Sequence, residues 1–319
     1  MDDHSIFFTD VADALGIESV AIVEKDHYIV ELLRLLKPLT FTTHQIVFAG
    51  GTALAKSGIA LNRMSEDVDI KLVPINAFQT LSRTQRKNIR KEIIQNIAST
   101  VTATGMFNFD DKYHKVTRDE YRYNAIPVRY PQHFAQVPCL RPFIRLELME
   151  SDLLELPEAR AIHSLGTALT GREAVVSDFL CTTITSTHAE KVVALLRRTA
   201  AVLRNIERFE DTSLVRHIYD TYRIAEAGNI NIPVLANFVQ RTAEQDIRRY
   251  GNQYPQFCTA PNDEMKMGLD ELGYNPLYQT HYEEFVAPMI YGGRHVSWDE
   301  AYTSFRQVAL AILENYKRN

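Results

Sequence analysis

The stretch from Ile46 to Leu72, IVFAGGTALAKSGIALNRMSEDVDIKL, constrains this chain more than any other part of its 319 residues. Ile46-Val47-Phe48-Ala49 is a short apolar run of the kind that forms a buried strand. Gly50 and Gly51 interrupt it, and Thr52 to Ser57 reads as the start of a helix. Small residues at such a turn let backbone N–H groups approach an anion, and the helix N-terminus favours phosphate. Thr52 adds a hydroxyl there. The pattern is a phosphate cradle, yet it is neither GxxxxGK[ST] nor GxGxxG.

Val68 to Val73 alternates as a second strand. Alternation puts Asp67 and Asp69 on one face, with Cα atoms roughly 6.6 Å apart, and turns Val68, Ile70 and Leu72 into the core. Neighbouring carboxylates repel, and a divalent cation offsets that cost; Mg²⁺ typically takes one or two carboxylates together with substrate phosphates. A lone DxD at a strand edge is more often a solvated turn. The combination of cradle, Arg63, Ser65 and DxD on successive strands favours function.

This stretch resembles the signature of the DNA polymerase β nucleotidyltransferase superfamily, a Gly-Gly or Gly-Ser followed by D-x-[DE] on the next strand. Its longer form is similar to the AbiEii/AbiGii toxin group, where GGT, a spaced Arg and SED followed by Asp recur. Gly50, Gly51, Thr52, Arg63, Ser65, Asp67 and Asp69 carry the resemblance, and Glu24-Lys25-Asp26 on an upstream helix is also similar to that group. The resemblance implies an α+β fold: a polymerase β-like domain with a mixed sheet and helices, then a mostly helical domain. It also implies a third carboxylate on a later strand, for which Glu147 in Phe143-Ile144-Arg145-Leu146-Glu147-Leu148 is the candidate. Arg145 and Glu147 share one face of that strand; the alternative is an exposed edge strand with a cross-strand ion pair.

Two further residues rest on the resemblance. Thr187 followed by Glu190 reads as a capping box, which places Lys191 in a first helical turn, where a cation needs a facing anion. Family members have a lysine at the corresponding place, taken to contact nucleotide phosphate. Leu214 to Asp220 is similar to the family's closing RD-x-x-D helix, which implies a role for Asp220; His217 stands where the first Asp is usual and is left out. The expected catalytic set is thus Asp67, Asp69, Glu147, Lys191 and Asp220. Gly50, Gly51, Thr52, Arg63, Ser65 and Lys191 are expected to bind nucleotide, and Asp67, Asp69 and Glu147 to hold two Mg²⁺, with Mn²⁺ as an alternative.

Along the rest of the chain, Glu18 to Leu36 and Thr80 to Ser99 read as helices, Phe107 to Met149 as β-like, and Val175 to Thr185 as a strand. The sequence turns helical after Ser186, so domains over 1–185 and 186–319 are expected. Cys139, Cys181 and Cys258 are too scattered for a zinc site or a disulfide framework. Met1-Asp2-Asp3-His4 lacks the basic start of a secretion signal, and no apolar run is long enough to span a bilayer; a cytoplasmic protein is expected.

A net charge of −5 excludes a globally basic nucleic-acid binder, so any RNA contact needs a local patch. Candidates are Arg83, Arg86, Lys87, Arg90 and Lys91, and a segment interleaving Lys112, Lys115, Arg118, Arg122 and Arg129 with Tyr113, Tyr121, Tyr123 and Tyr130. The resemblance implies an NTP substrate, an RNA acceptor with the tRNA 3′ end foremost, and a separately encoded antitoxin that need not touch the toxin. Rival readings are an enzyme that nucleotidylates a protein or small molecule, and a non-catalytic nucleotide-binding module.

Overall fold

The computed structural model describes residues 3–109, 112, 115–206, 211–228 and 230–316. Tyr113 of the interleaved segment lies outside them. The chain divides into two compact units, Met1–Gly58 with Asn62–Thr183, and Ile59–Leu61 with Ile184–Asn319.

The first unit is built on one mixed sheet of eight strands. In chain order its elements are α1 (Asp3–Leu15), α2 (Val20–Leu36), β1 (His44–Ala49), α3 (Gly50–Ala55), β2 (Asp67–Pro74), α4 (Asn76–Gln79) and α5 (Arg83–Thr102). There follow β3 (Asn108–Phe109), β4 (Val116–Arg118), β5 (Tyr123–Arg129), β6 (Ile144–Glu150), β7 (Glu158–Ile162), α6 (Leu165–Leu169) and β8 (Val176–Cys181). The strand order is β3-β5-β6-β2-β1-β8-β7, with β4 also on β5. β1 and β2 are antiparallel, whereas β2 and β6 are parallel, as are β1 and β8. The C-terminal ends of β1 and β8 therefore meet the N-terminal ends of β2 and β6 at one end of the sheet.

Register sorts the side chains. Phe48, Val68, Ile70, Leu72, Ile144, Leu146 and Leu148 share the apolar face and are all buried. Each such side chain contributes roughly 1.5–3 kcal/mol by leaving water. Asp67, Asp69 and Lys71 fall on the opposite face, beside Arg145, Glu147 and Met149. Because β6 sits between β5 and β2, Glu147 is on an interior strand and not on an exposed edge.

Helix α5 begins three residues later than the periodicity suggests, because Ser82 and Gln85 form a capping box. Its row of basic residues is not one solvated face. Arg90 is buried and donates twice to Glu150, at 2.6 and 2.8 Å, while its guanidinium lies over Phe78. Burial pushes the Glu150 carboxyl up, but hydrogen bonds from His44 and Arg90 outweigh it and hold the pKa at about 2. Arg83 is paired with Glu120, which leaves Lys87 and Lys91 as exposed cations of that row. Tyr130 is likewise buried, against Tyr28, and offers no stacking surface.

Glu24, Lys25 and Asp26 on α2 are all buried. Successive helical residues point about 100° apart, so each braces a different segment. Glu24 accepts from the backbone N–H of His133 at 2.7 Å. Lys25 pairs with Glu66 at 2.5 Å, and Asp26 takes Lys56 at 2.5 Å and the N–H of Leu165 at 2.6 Å. Burial lowers the pKa of Lys25 against the opposing pull of Glu66. Removing one partner of a buried pair strands the other, so Lys25→Met is expected to cost about 3–5 kcal/mol in urea unfolding; a loss below about 1 kcal/mol contradicts the bracing role.

The second unit is helical: α7 (Ile184–Leu203), α8 (Arg216–Glu226), α9 (Ile232–Tyr250), α10 (Pro255–Thr259), α11 (Pro261–Tyr274), α12 (Leu277–Phe285) and α13 (Trp298–Glu314). α7 packs on α9 and α11, and α13 on α8. The strap Ile59–Leu61 is held within this unit by Tyr219, whose hydroxyl donates to the Leu61 carbonyl at 2.7 Å, and by Arg223, whose Nε donates to that of Ala60 at 2.9 Å. Among the described residues no helix is long and apolar enough to cross a membrane.

Candidate functional site

The end of the sheet where β1 runs out and β2 begins gathers most of the expected residues. Gly50 has φ +75°, a left-handed value that disfavours any side chain. A Cβ there would sit 1.8 Å from Oδ2 of Asp69, so the carboxylate lies directly against the glycine backbone. Asp69 pairs in register with Ala49 on β1 and with Glu147 on β6. Asp67, two residues earlier, is buried and shares that face. Register thus sets Asp67, Asp69 and Glu147 on one face, and Gly50, with Gly51 next in the chain, lies against the Asp69 carboxylate.

Thr52, Ser65 and Arg63 hold the connection between α3 and β2 together. The Thr52 hydroxyl is hydrogen-bonded to the Ser65 hydroxyl at 3.0 Å and to the Asp67 carbonyl, tying α3 to the start of β2. Arg63 is buried and donates to the Met64 carbonyl at 2.7 Å, within its own loop. The carboxylates also have cationic partners. Arg141 Nη1 reaches Asp67 Oδ1 at 2.5 Å, and Arg145 Nε reaches Glu147 Oε1 at 2.8 Å. Burial opposes the Arg145 charge, yet Glu147, Tyr123 and Asp67 outweigh it and raise its pKa.

The donor set is chemically suited to a hard divalent cation: carboxylate oxygens on adjacent strands, beside a backbone that admits no side chain. Among the described residues, however, no three His, Cys, Asp or Glu side chains are grouped closely enough to form a ready-made metal cluster. Asp67 and Glu147 would have to exchange a guanidinium for the metal.

Lys191 and Asp220 lie in the second unit and pair with each other at 2.9 Å, with side-chain exposures of 6% and 0%. The expected helix start at Thr187 is corrected: α7 begins at Ile184, so Thr187 is internal and buried, and Lys191 is beyond the first turn. Its partner is the Asp220 carboxylate, and the helix-dipole argument for it lapses. Asp220 is fully buried.

His217, set aside from the sequence, is at this pair, with Nδ1 3.4 Å from Lys191 Nζ. Burial, then the Lys191 charge, depresses its pKa to about 3. The same two causes depress His188 to about 4; its Nε2 lies 3.1 Å from the Thr221 hydroxyl. Both rings are neutral in the fold. Unfolded, they bind protons near pH 6.5, so stability is full above pH 6.5 and is lost as pH falls towards 4. His188 alone is expected to contribute about 3 kcal/mol to this loss. His188→Gln should flatten the dependence in unfolding titrations between pH 4 and 7; an unchanged slope contradicts the assignment.

Arg141, Glu66 and Lys25 were not among the expected site residues, although Glu66 sits inside the SED motif. The available signal was three consecutive charges, at 24–26, within an apolar helix.

A model of the family described as "Nucleotidyl transferase AbiEii toxin, Type IV TA system" matches residues 32–304. Comparison with proteins of curated function finds no match. Among solved structures, MenT4, the nucleotidyltransferase toxin Rv2826c from Mycobacterium tuberculosis H37Rv, is similar with a TM-score of 0.61 and 17% identity, over 96% of this chain and 89% of that one. A likeness at that identity concerns the fold. The STING-associated CdnE c-di-GMP synthase from Capnocytophaga granulosa aligns over 99% of this chain and 98% of that one at 10% identity, but its TM-score of 0.27 carries no argument.

Proposed function

Since the chain belongs to the AbiEii family of nucleotidyl transferase toxins of type IV toxin–antitoxin systems, we propose that it transfers an NMP from an NTP to an RNA acceptor, the 3′ end of tRNA foremost, at the carboxylate face of β2 and β6. The family makes it a nucleotidyltransferase with an NTP substrate and an antitoxin partner. The metal, the RNA acceptor and a cytoplasmic setting are our proposals, as is a separately encoded antitoxin that need not touch the toxin.

The observation that carries the reading is Asp69 lying against Gly50 in register with Glu147, with Asp67 on the same face. A side chain at residue 50 would displace the Asp69 carboxylate from this position. Asp67, Asp69 and Glu147 would hold Mg²⁺ or Mn²⁺, which when bound neutralises phosphate charge and acidifies the attacking hydroxyl. Gly50, Gly51, Thr52 and Ser65 would hold the triphosphate, and Arg63 would do the same or brace the loop that presents it. In the reaction the acceptor hydroxyl gives up its proton to solvent, its oxygen bonds to the α-phosphorus, the bond from that phosphorus to the α–β bridging oxygen breaks, and pyrophosphate leaves. Positioning and charge stabilisation supply most of the rate. Lys191 and Asp220 are proposed as catalytic on the family resemblance.

The exposed Lys87, Lys91, Lys112, Arg118 and Arg129 favour RNA over a small cationic acceptor, which would call for an acidic surface. The test is incubation of the protein with total RNA, Mg²⁺ and each of the four labelled NTPs in turn. A labelled tRNA-sized band is expected; label confined to protein or to a small molecule contradicts the RNA reading.

A further inference from the structure

We propose that Arg141 is a phosphate-binding residue of the transfer site, set in place by the buried Lys25–Glu66 pair. This rests on the nucleotidyl-transfer reading above.

The clamp is unusually complete for a loop residue. Glu66 Oε2 accepts the Arg141 backbone N–H at 2.8 Å, and Lys25 Nζ donates to the Arg141 carbonyl at 2.8 Å. Glu66 and Lys25 are themselves joined at 2.5 Å, with side-chain exposures of 6% and 0%. Two charges taken out of water are costly, and apolar residues of similar volume commonly stabilise as well. What the ion pair adds is geometry, since both polar groups of one residue's backbone are fixed.

The Arg141 side chain then extends to the site. Nη1 lies 2.5 Å from Asp67 Oδ1 and 3.4 Å from Glu66 Oε1. Both closest contacts use the same nitrogen, and Nε and Nη2 donate no hydrogen bond among the described residues. The side chain is 30% exposed, so it can be reached by a ligand from solvent. A planar guanidinium with two free donors beside a carboxylate face suits a phosphate, which accepts both bonds at once. Asp67 Oδ1 cannot serve Arg141 and a divalent cation equally, and a guanidinium left beside a dication needs an anion. A phosphate group meets both charges. It comes either from the NTP or from the acceptor backbone.

The test measures binding without turnover. Wild type, Arg141→Gln and Arg141→Lys are titrated with a non-hydrolysable NTP analogue in Mg²⁺, and separately with tRNA alone, after their melting temperatures are compared. Arg141→Gln is expected to weaken one of these ligands by about 10- to 100-fold, the range of charge-assisted hydrogen bonds. Arg141→Lys keeps the charge, loses the fork and should weaken the same ligand by a smaller factor. Loss confined to the analogue assigns the NTP phosphates, and loss confined to tRNA assigns the acceptor backbone. Unchanged affinity of both variants for both ligands overturns the proposal while leaving nucleotidyl transfer intact. A wild-type protein that binds neither ligand overturns the parent reading, and this one with it.

Discussion

Asp69→Ala is expected to lower nucleotidyl transfer by about 10³-fold or more, the scale of losing a preorganised electrostatic group, while the protein remains folded. Asp69 is the central carboxylate of the site, flanked by Ala49 on β1 and by Glu147 on β6. The strand beneath it is held by Val68, Ile70 and Leu72, which the substitution leaves in the core. Its removal also relieves repulsion from the neighbouring Asp67 and Glu147 carboxylates, which keep Arg141 and Arg145 as partners. The melting temperature should therefore stay within a few degrees of wild type, or rise. Transfer measured with labelled NTP and RNA checks the first part, and thermal unfolding the second. Activity within tenfold of wild type removes Asp69 from the mechanism; unfolding assigns it a structural role.

Gly50→Ala should be nearly as damaging for a different reason. Its φ of +75° costs a side-chain-bearing residue about 1–2 kcal/mol. The added Cβ also meets Asp69 Oδ2 at 1.8 Å, a distance no relaxation of a few tenths of an ångström relieves. Asp69 must swing away, and transfer should fall about 10²-fold or more with it. Gly58 is the control: its φ is +88°, yet nothing lies within 4 Å of its Cβ position. Gly58→Ala should show the backbone cost in unfolding and leave Asp69 undisturbed. In the double variant Gly50→Ala/Asp69→Ala the contacts with the carboxylate at 1.8 and 2.6 Å are gone and only the 2.9 Å contact with the Cβ of residue 69 remains, so its stability should exceed that of Gly50→Ala alone. Additive losses would mean that the two residues do not collide.

Strands β1 and β2 were legible because they rest on local rules. Gly50 and Gly51 break an apolar run, and the period of two in Asp67-Val68-Asp69-Ile70-Lys71-Leu72 separates acid from core. The same period picked out Arg145 and Glu147 on β6. What no local rule shows is that β6 lies parallel to β2 with Glu147 level with Asp69, since that depends on the order of strands. Helix α1 and strand β7 were missed: Asp3–Leu15 is short, and Glu158–Ile162 carries Glu and Arg in place of a clear alternation. Thr187 and Glu190 imitate a capping box inside a helix that starts at Ile184, because the spacing of a cap is also one turn of helix. Arg141 was invisible for a related reason. It stands among the prolines of a loop, and its importance comes from Lys25, 116 residues away in sequence.

The claim on which the rest turns is that a nucleoside monophosphate moves and pyrophosphate leaves. Wild-type protein, RNA and Mg²⁺ should be incubated in parallel with NTP labelled at the α-phosphate and at the γ-phosphate. The account predicts label in the RNA from the α position alone, with γ label recovered as pyrophosphate. Label in the RNA from the γ position, or from neither, would contradict it.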